Sequence, residues 1–330
     1  MEIREVLPRD AIPSIDDPTF EASYFGAPGD EAIVVDSDPP RAYPLRILSY
    51  HEVVNDAIPR SSDPTDEPNG SAGESDPIAV TWCPICWSAL VYDRRVGDDV
   101  LTFGVSGNLA DDSLVLYDRE TESEWQQTSG RCLRGPLEGS TLSLRSSRLT
   151  TVGDFRDDHP DGLVLQPVRG GPGEPPERVY DMAPYEGYRS RDAFGLHGMR
   201  GEGAPRAWDR SDIDAKTVVI GVEIDGDASA YPRPVVERAG GVLVDSVGGV
   251  SVVVFADGDR LSVFEDPGFE FERTDDGVYA DGASWSIRTG VADDGRALAP
   301  VDSRRMFAFA WQDIHGSDSM HAPESETDQR

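Results

Sequence analysis

Cys83 and Cys86 stand in the run Val80-Thr81-Trp82-Cys83-Pro84-Ile85-Cys86-Trp87, in a chain with only three cysteines. Two thiolates at this spacing can chelate a soft metal, zinc or copper. They can also form a reversible disulfide, or fill a core as small apolar groups. A lone Cys-x-x-Cys pair is half of a zinc site, which wants four donors. His51 and Cys132 are the candidates to complete it, and His51 is the best-placed nitrogen by sequence. Cys132 alone reads as a core cysteine.

Other polar groups carry weaker signals. His51-Glu52 and Asn55-Asp56 flank an apolar segment, where they can act as ligand, general base or substrate contact, or simply cap and turn the chain. Arg119, beside Asp118, could clamp an anionic ligand bidentately; residues of this kind more often build an internal corner with Ser123, Trp125 and Gln126. Ser106, in Phe103-Gly104-Val105-Ser106-Gly107, resembles a nucleophile elbow but fails its spacing, because the glycine directly follows the serine. It reads instead as a strand entering a turn, or as backbone lining a pocket. Asp118, Arg119 and Ser106 are the candidate ligand contacts.

The elements that would position these residues are strands. Short alternating runs recur at residues 78–82, 89–92, 100–105, 114–117, 218–222, 250–255 and 261–264, separated by turns such as Val96-Gly97-Asp98-Asp99. Helices are few and short, one running from Pro44 to about Tyr50 with the proline at its first position. Residues 60–76 and 170–176 read as surface insertions.

The chain also repeats itself. Ala42-Tyr43-Pro44 returns as Ala230-Tyr231-Pro232, and each is followed by a helix-like segment and then strands. Trp125 matches Trp285, and His159 matches His315. In this alignment the cysteines fall opposite Ala256-Asp257-Gly258-Asp259, a hairpin turn. The sequence therefore predicts that the thiols sit on a turn between strands. A thioredoxin-type pair needs a helix N-terminus to lower its thiol pKa, so that chemistry is not expected.

The motif series Arg41-Ala42-Tyr43-Pro44-Leu45-Arg46-Ile47-Leu48, His51 to Asp56, Val80 to Cys86, Leu101 to Gly107, Asp118 to Gln127 and Gly135-Pro136-Leu137-Glu138-Gly139 resembles a widespread prokaryotic family classed as a domain of unknown function. The resemblance covers roughly residues 30–315. It implies a family, not an activity. Members usually carry a small residue, often glycine, after the second cysteine; here it is Trp87.

The formal charge is −32, and Lys216 is the only lysine. Such a surface repels nucleic acid and anionic membranes. It resembles the surfaces of halophilic archaeal proteins, where dense salt screens the carboxylates. No signal peptide or membrane span is apparent, so a cytoplasmic protein is expected. The predicted fold is mainly β: two related antiparallel β halves, an internal duplication, with a few short helices. An N-terminal extension (1–29) precedes the first half (30–165). A connector (166–214), a degenerate second half (215–315) and a disordered tail (316–330) follow. The leading reading is a metal-binding or thiol-dependent protein centred on Cys83 and Cys86. Its rival is a non-enzymatic ligand- or protein-binding β module with structural cysteines.

Overall fold

A computed structural model describes residues 3–59, 75–168, 176–274 and 277–321. The chain forms two compact units, residues 1–205 and 206–330. Both are mainly β. The two expected insertions lie largely outside the described residues.

Among the described residues, three larger sheets and a two-stranded ribbon of Arg95–Val96 with Asp99–Val100 build the first unit. The strands Val53–Pro59, Ser75–Cys83 and Ser88–Asp93 form an antiparallel meander, with Leu144–Arg145 added against Val91 and Tyr92. Ile78, Val80 and Trp82 share one face by strand alternation and join Val54, Val91, Tyr43 and Leu48 in a hydrophobic core of this unit. A second antiparallel sheet runs Ile3–Glu5, Phe103–Ala110, Ser113–Asp118, Glu124–Gln126, Cys132–Arg134. The expected turn at Ser106-Gly107 is instead a register irregularity within the strand Phe103–Ala110. Gly107 is required there. Its φ is +81°, and a Cβ would lie 2.0 Å from the Leu7 carbonyl oxygen. A third sheet pairs Arg148–Thr151, Glu31–Val35, Arg41–Pro44, Leu163–Leu165 and Phe20–Glu21.

Pro44 is the N-cap of the helix Leu45–His51 rather than its first residue, because its ψ of 133° is still extended. Glu52 closes this helix in the left-handed region, φ +58°, donating its N–H to Leu48 O at 2.7 Å. That turn sends the chain straight into the strand Val53–Pro59.

Part of the second unit has a similar succession: two strands, a helix and a three-stranded meander. The strands Val218–Ile224 and Asp227–Pro232 pair, then the helix Arg233–Arg238 begins after Pro232, whose φ/ψ of −63°/130° match the −63°/133° of Pro44. A meander of Val242–Val247, Val250–Asp257 and Arg260–Glu265 follows. Tyr43 donates to Asp56 at 2.5 Å, and Tyr231 to Asp245 at 2.8 Å. Each unit also carries an aromatic ring against a histidine four positions later, Phe155 with His159 and Trp311 with His315, both pairs tilted. Part of the segment expected to be a disordered tail is ordered: Met320 is buried and His321 bonds Asp245 at 2.8 Å. Among the described residues no helix is long and apolar enough to cross a membrane.

Candidate functional site

The cysteines occupy the hairpin between Ser75–Cys83 and Ser88–Asp93, and Cys83 pairs with Ser88 across it. No helix begins at Cys86. Trp87 takes the left-handed conformation, φ +53°, where a glycine would be unstrained. Strand alternation puts Cys83 with Thr81 on the face opposite Trp82. Beneath that face lies a buried polar brace. Ser88 Oγ donates to Gln127 Oε1 at 2.6 Å, Gln127 Nε2 donates to Thr81 Oγ1 at 2.9 Å, and Tyr92 Oη donates to Gln127 O at 2.7 Å. These bonds fix the hairpin from below.

Both thiols are buried, and the Cys86 sulfur lies 3.6 Å from Asp112 O. Burial alone would raise the Cys83 pKa. Hydrogen bonds outweigh it: the Cys86 thiol and the backbone N–H groups of Cys86, Leu114 and Ile85 all stabilise the anion, and the net shift is downward. The turn therefore supplies what a helix N-terminus supplies elsewhere, converging N–H dipoles on one sulfur.

Glu52 is the complementary group. Its side chain is 5% exposed. Burial first, then the negative charge of Cys83, pushes its pKa to about 8; the Tyr185 hydroxyl at 3.5 Å and the Arg200 charge pull weakly the other way. At neutral pH the carboxyl holds a proton near a thiol whose own pKa is lowered.

Residues 185–200, expected to be a connector, cover the cysteine turn. Tyr188 Oη donates to Ile85 O at 3.0 Å and accepts from Gly195 N at 3.0 Å. Gly195 is at φ +65° and close to Asp112, whose Oδ2 would lie 2.1 Å from an added Cβ. A small cavity of about 50 Å³ adjoins the turn, lined by Glu52, Ile85, Asn108, Leu114, Tyr185 and Arg200 among others. Glu52 was legible in sequence as part of a polar cluster. Tyr185, Tyr188 and Arg200 were not, because nothing local ties them to the cysteines.

His51 does not join the thiols. Its Nδ1 bonds Pro13 O at 2.8 Å and its Nε2 bonds Tyr180 Oη at 2.9 Å. A carbonyl can only accept, so Nδ1 carries the proton and Nε2 spends its lone pair on Tyr180. Burial lowers the His51 pKa and keeps the ring neutral. Cys132 sits apart on the strand Cys132–Arg134, its sulfur 3.5 Å from Arg134 O. Among the described residues no group of three or more His, Cys, Asp or Glu side chains is placed to hold a metal ion.

The remaining candidates are engaged inside the fold. Asp118 accepts from Thr121 N at 2.6 Å and from Trp125 Nε1 at 2.9 Å, a closed corner. Arg119 reaches Asp16 at 3.2 Å and Ser14 at 2.9 Å. Ser106 Oγ donates to Val115 O at 2.5 Å and accepts from Asn108 N at 3.1 Å. The small cavity takes its lining from Val105, Gly107 and Asn108, and not from Ser106 between them.

No curated protein matches this chain, and no solved structure matches it. A family described as "Protein of unknown function (DUF3179)" matches residues 9–318, and the chain belongs to that family.

Proposed function

We propose that the protein is a thiol-dependent redox protein in which Cys83 is the reactive sulfur, Cys86 its disulfide partner and Glu52 the proton donor. The carrying observation is the opposed pair of shifts: Cys83 lowered by converging N–H donors, and Glu52 raised to about 8 beside it. Residues i and i+3 of a tight turn lie within about 7 Å at Cα, a separation that a disulfide tolerates. The 50 Å³ space beside Glu52 suits an oxidant of a few atoms, such as hydrogen peroxide.

The Cys83 thiolate attacks one peroxide oxygen and breaks the O–O bond. The departing hydroxide takes the Glu52 proton and leaves as water, and Cys83 becomes a sulfenic acid. The Cys86 thiol then displaces a second water to form the disulfide. Two electrons pass from sulfur to peroxide, and an external thiol restores the dithiol.

Mass spectrometry of peroxide-treated protein tests this. The expected product is a Cys83–Cys86 disulfide, and Cys86→Ser should stop at a sulfenic acid trapped by dimedone. Thiols that survive peroxide unchanged at high salt would sink the proposal and leave the reading as a binding module with structural cysteines. A second reading, metal binding, is supported by the adjacency of the two sulfurs. Two thiolates suffice for Cu(I), whereas zinc needs further donors. Stoichiometric copper or zinc in freshly purified native protein, lost in Cys83→Ser, would favour it. The acidic, lysine-poor composition supports a salt-rich cytoplasmic setting.

A further inference from the structure

The covering segment, residues 185–200, meets the cysteine turn through a tyrosine. Tyr185, at its start, touches Glu52 and also lines a larger cavity, of about 300 Å³, beside Trp82 and Trp87. Tyr188, three residues on, reaches the turn itself. It is buried, and its hydroxyl donates to Ile85 O at 3.0 Å while accepting from Gly195 N at 3.0 Å. Burial, followed by the charge of a neighbouring Cys86 thiolate, raises the Tyr188 pKa, so the hydroxyl keeps its proton and remains a donor. Gly195 can come this close because it has no Cβ, which would meet Asp112.

The carbonyl that Tyr188 holds belongs to the peptide group joining Ile85 to Cys86. Among the described residues the one cis bond is Asp38–Pro39, so this peptide is trans. In a planar trans peptide the C=O and the N–H point in opposite directions. Holding the Ile85 oxygen toward Tyr188 therefore turns the Cys86 N–H the other way, and that N–H is one of the donors to the Cys83 sulfur. A single line of bonds results. It runs from Gly195 N–H to Tyr188 Oη, from Tyr188 O–H to Ile85 O, and across the peptide from Cys86 N–H to Cys83 Sγ. Every donor in the line points toward the sulfur. Bonds arranged in this way polarise one another, and a negative charge at the acceptor end gains from all of them.

We propose that Tyr188 is a positioning residue, which fixes the Ile85–Cys86 peptide with its N–H on Cys83 and so makes the covering segment part of the thiol site. The proposal rests on Cys83 as the reactive sulfur and adds the group that holds its donor in place. Tyr188 acts through the backbone. Cys86, Glu52 and Tyr185 also act on Cys83 by charge or hydrogen bond, and Asp112 adjoins Gly195. Tyr188→Phe leaves all four in place.

The ultraviolet absorbance of the Cys83 thiolate tests the assignment. It is taken on the full chain at high salt, with Cys83→Ser as the blank, at a pH where the wild-type thiol is half ionised. No oxidant is needed, so the outcome is independent of whether peroxide makes the disulfide. Tyr188→Phe should lower the ratio of thiolate to thiol roughly two- to fourfold, the effect of losing one bond from a cooperative line. Tyr188→3-fluorotyrosine keeps every bond and has a more acidic hydroxyl, which donates more strongly. It should raise the ratio, by up to about twofold. A ring that only packs would not produce that gain, and this variant decides the matter should Tyr188→Phe fail to fold. An unchanged or higher ratio in Tyr188→Phe, or an unchanged or lower one with fluorotyrosine, would each overturn the inference.

Discussion

The Tyr185 hydroxyl stands 3.5 Å from Glu52 Oε1, joining a residue of the covering segment to the residue that caps the helix Leu45–His51. This contact brings together a carboxyl whose pKa is raised, a tyrosine and a thiol whose pKa is lowered, all buried.

Glu52 should make stability fall as pH rises. Below its ordinary pKa of 4.5 the carboxyl is protonated in both folded and unfolded chains and contributes no difference. Above 4.5 the unfolded chain ionises while the folded one stays protonated until about 8, so the folded state loses ground across that window. Glu52→Gln removes the penalty, and at pH 8 it should stabilise the protein by roughly 2–4 kcal/mol. Denaturant unfolding from pH 4.5 to 8 checks this. Parallel curves for the two proteins would show that Glu52 does not titrate as stated.

Removing the brace should weaken the hairpin. Gln127→Ala takes the acceptor from Ser88 and a donor from Thr81, both fully buried. The cost should be about 2–4 kcal/mol, since the orphaned hydroxyl has no route to water. Alkylation of Cys83 should also speed up, because the turn loosens. Urea midpoints and iodoacetamide rates measure the two effects.

Trp87→Gly poses a contest between backbone and side chain. Relief of the left-handed conformation is worth about 1–2 kcal/mol. Loss of the perpendicular pair with Trp82 costs about 0.5–1.5 kcal/mol, and lost apolar burial adds about 2 kcal/mol. The side chain should win, so the variant should be less stable by about 1–2 kcal/mol. A variant more stable than wild type would mean that Trp87 is held against its backbone preference for some reason other than stability.

The net charge of −32 predicts a strong salt response. Mutual repulsion of carboxylates destabilises the compact state until the screening length shrinks. From dilute buffer to molar KCl the melting temperature should rise on the order of 10 °C. A flat curve would remove the salt-adapted reading of the surface.

A duplication predicts that the two units superpose element by element. Arg41–Pro44, Leu45–His51, Ser75–Cys83 and Ser88–Asp93 should fall on Asp227–Pro232, Arg233–Arg238, Val250–Asp257 and Arg260–Glu265 in the same order and direction. The cysteine turn should then lie over Gly258-Asp259. Any reversed strand would end the idea.

The strands, the helix after Ala-Tyr-Pro and the turn under Cys83 and Cys86 were all legible in the sequence. Each is written locally, in alternation, proline position and the lack of helical period after Cys86. What closes the site was not. Tyr185 and Tyr188 lie about a hundred residues from the cysteines in a stretch without apolar periodicity, and only the folded chain brings them back. His51 misled for the same reason. Its chemistry suits a metal, but its partners, Pro13 and Tyr180, come from distant segments. Asp118 and Arg119 looked like a ligand clamp because a sequence cannot say whether a charge faces a corner of its own fold.

Tyr185 contributes to the walls of both cavities, the small one beside Glu52 and the larger one beside Trp82. The ring is thus a partition with a titrating acid on one side. Moving that ring would change both the burial of the Glu52 carboxyl and the hydroxyl contact at 3.5 Å. The packing of the covering segment and the proton on Glu52 are thereby two readings of a single equilibrium.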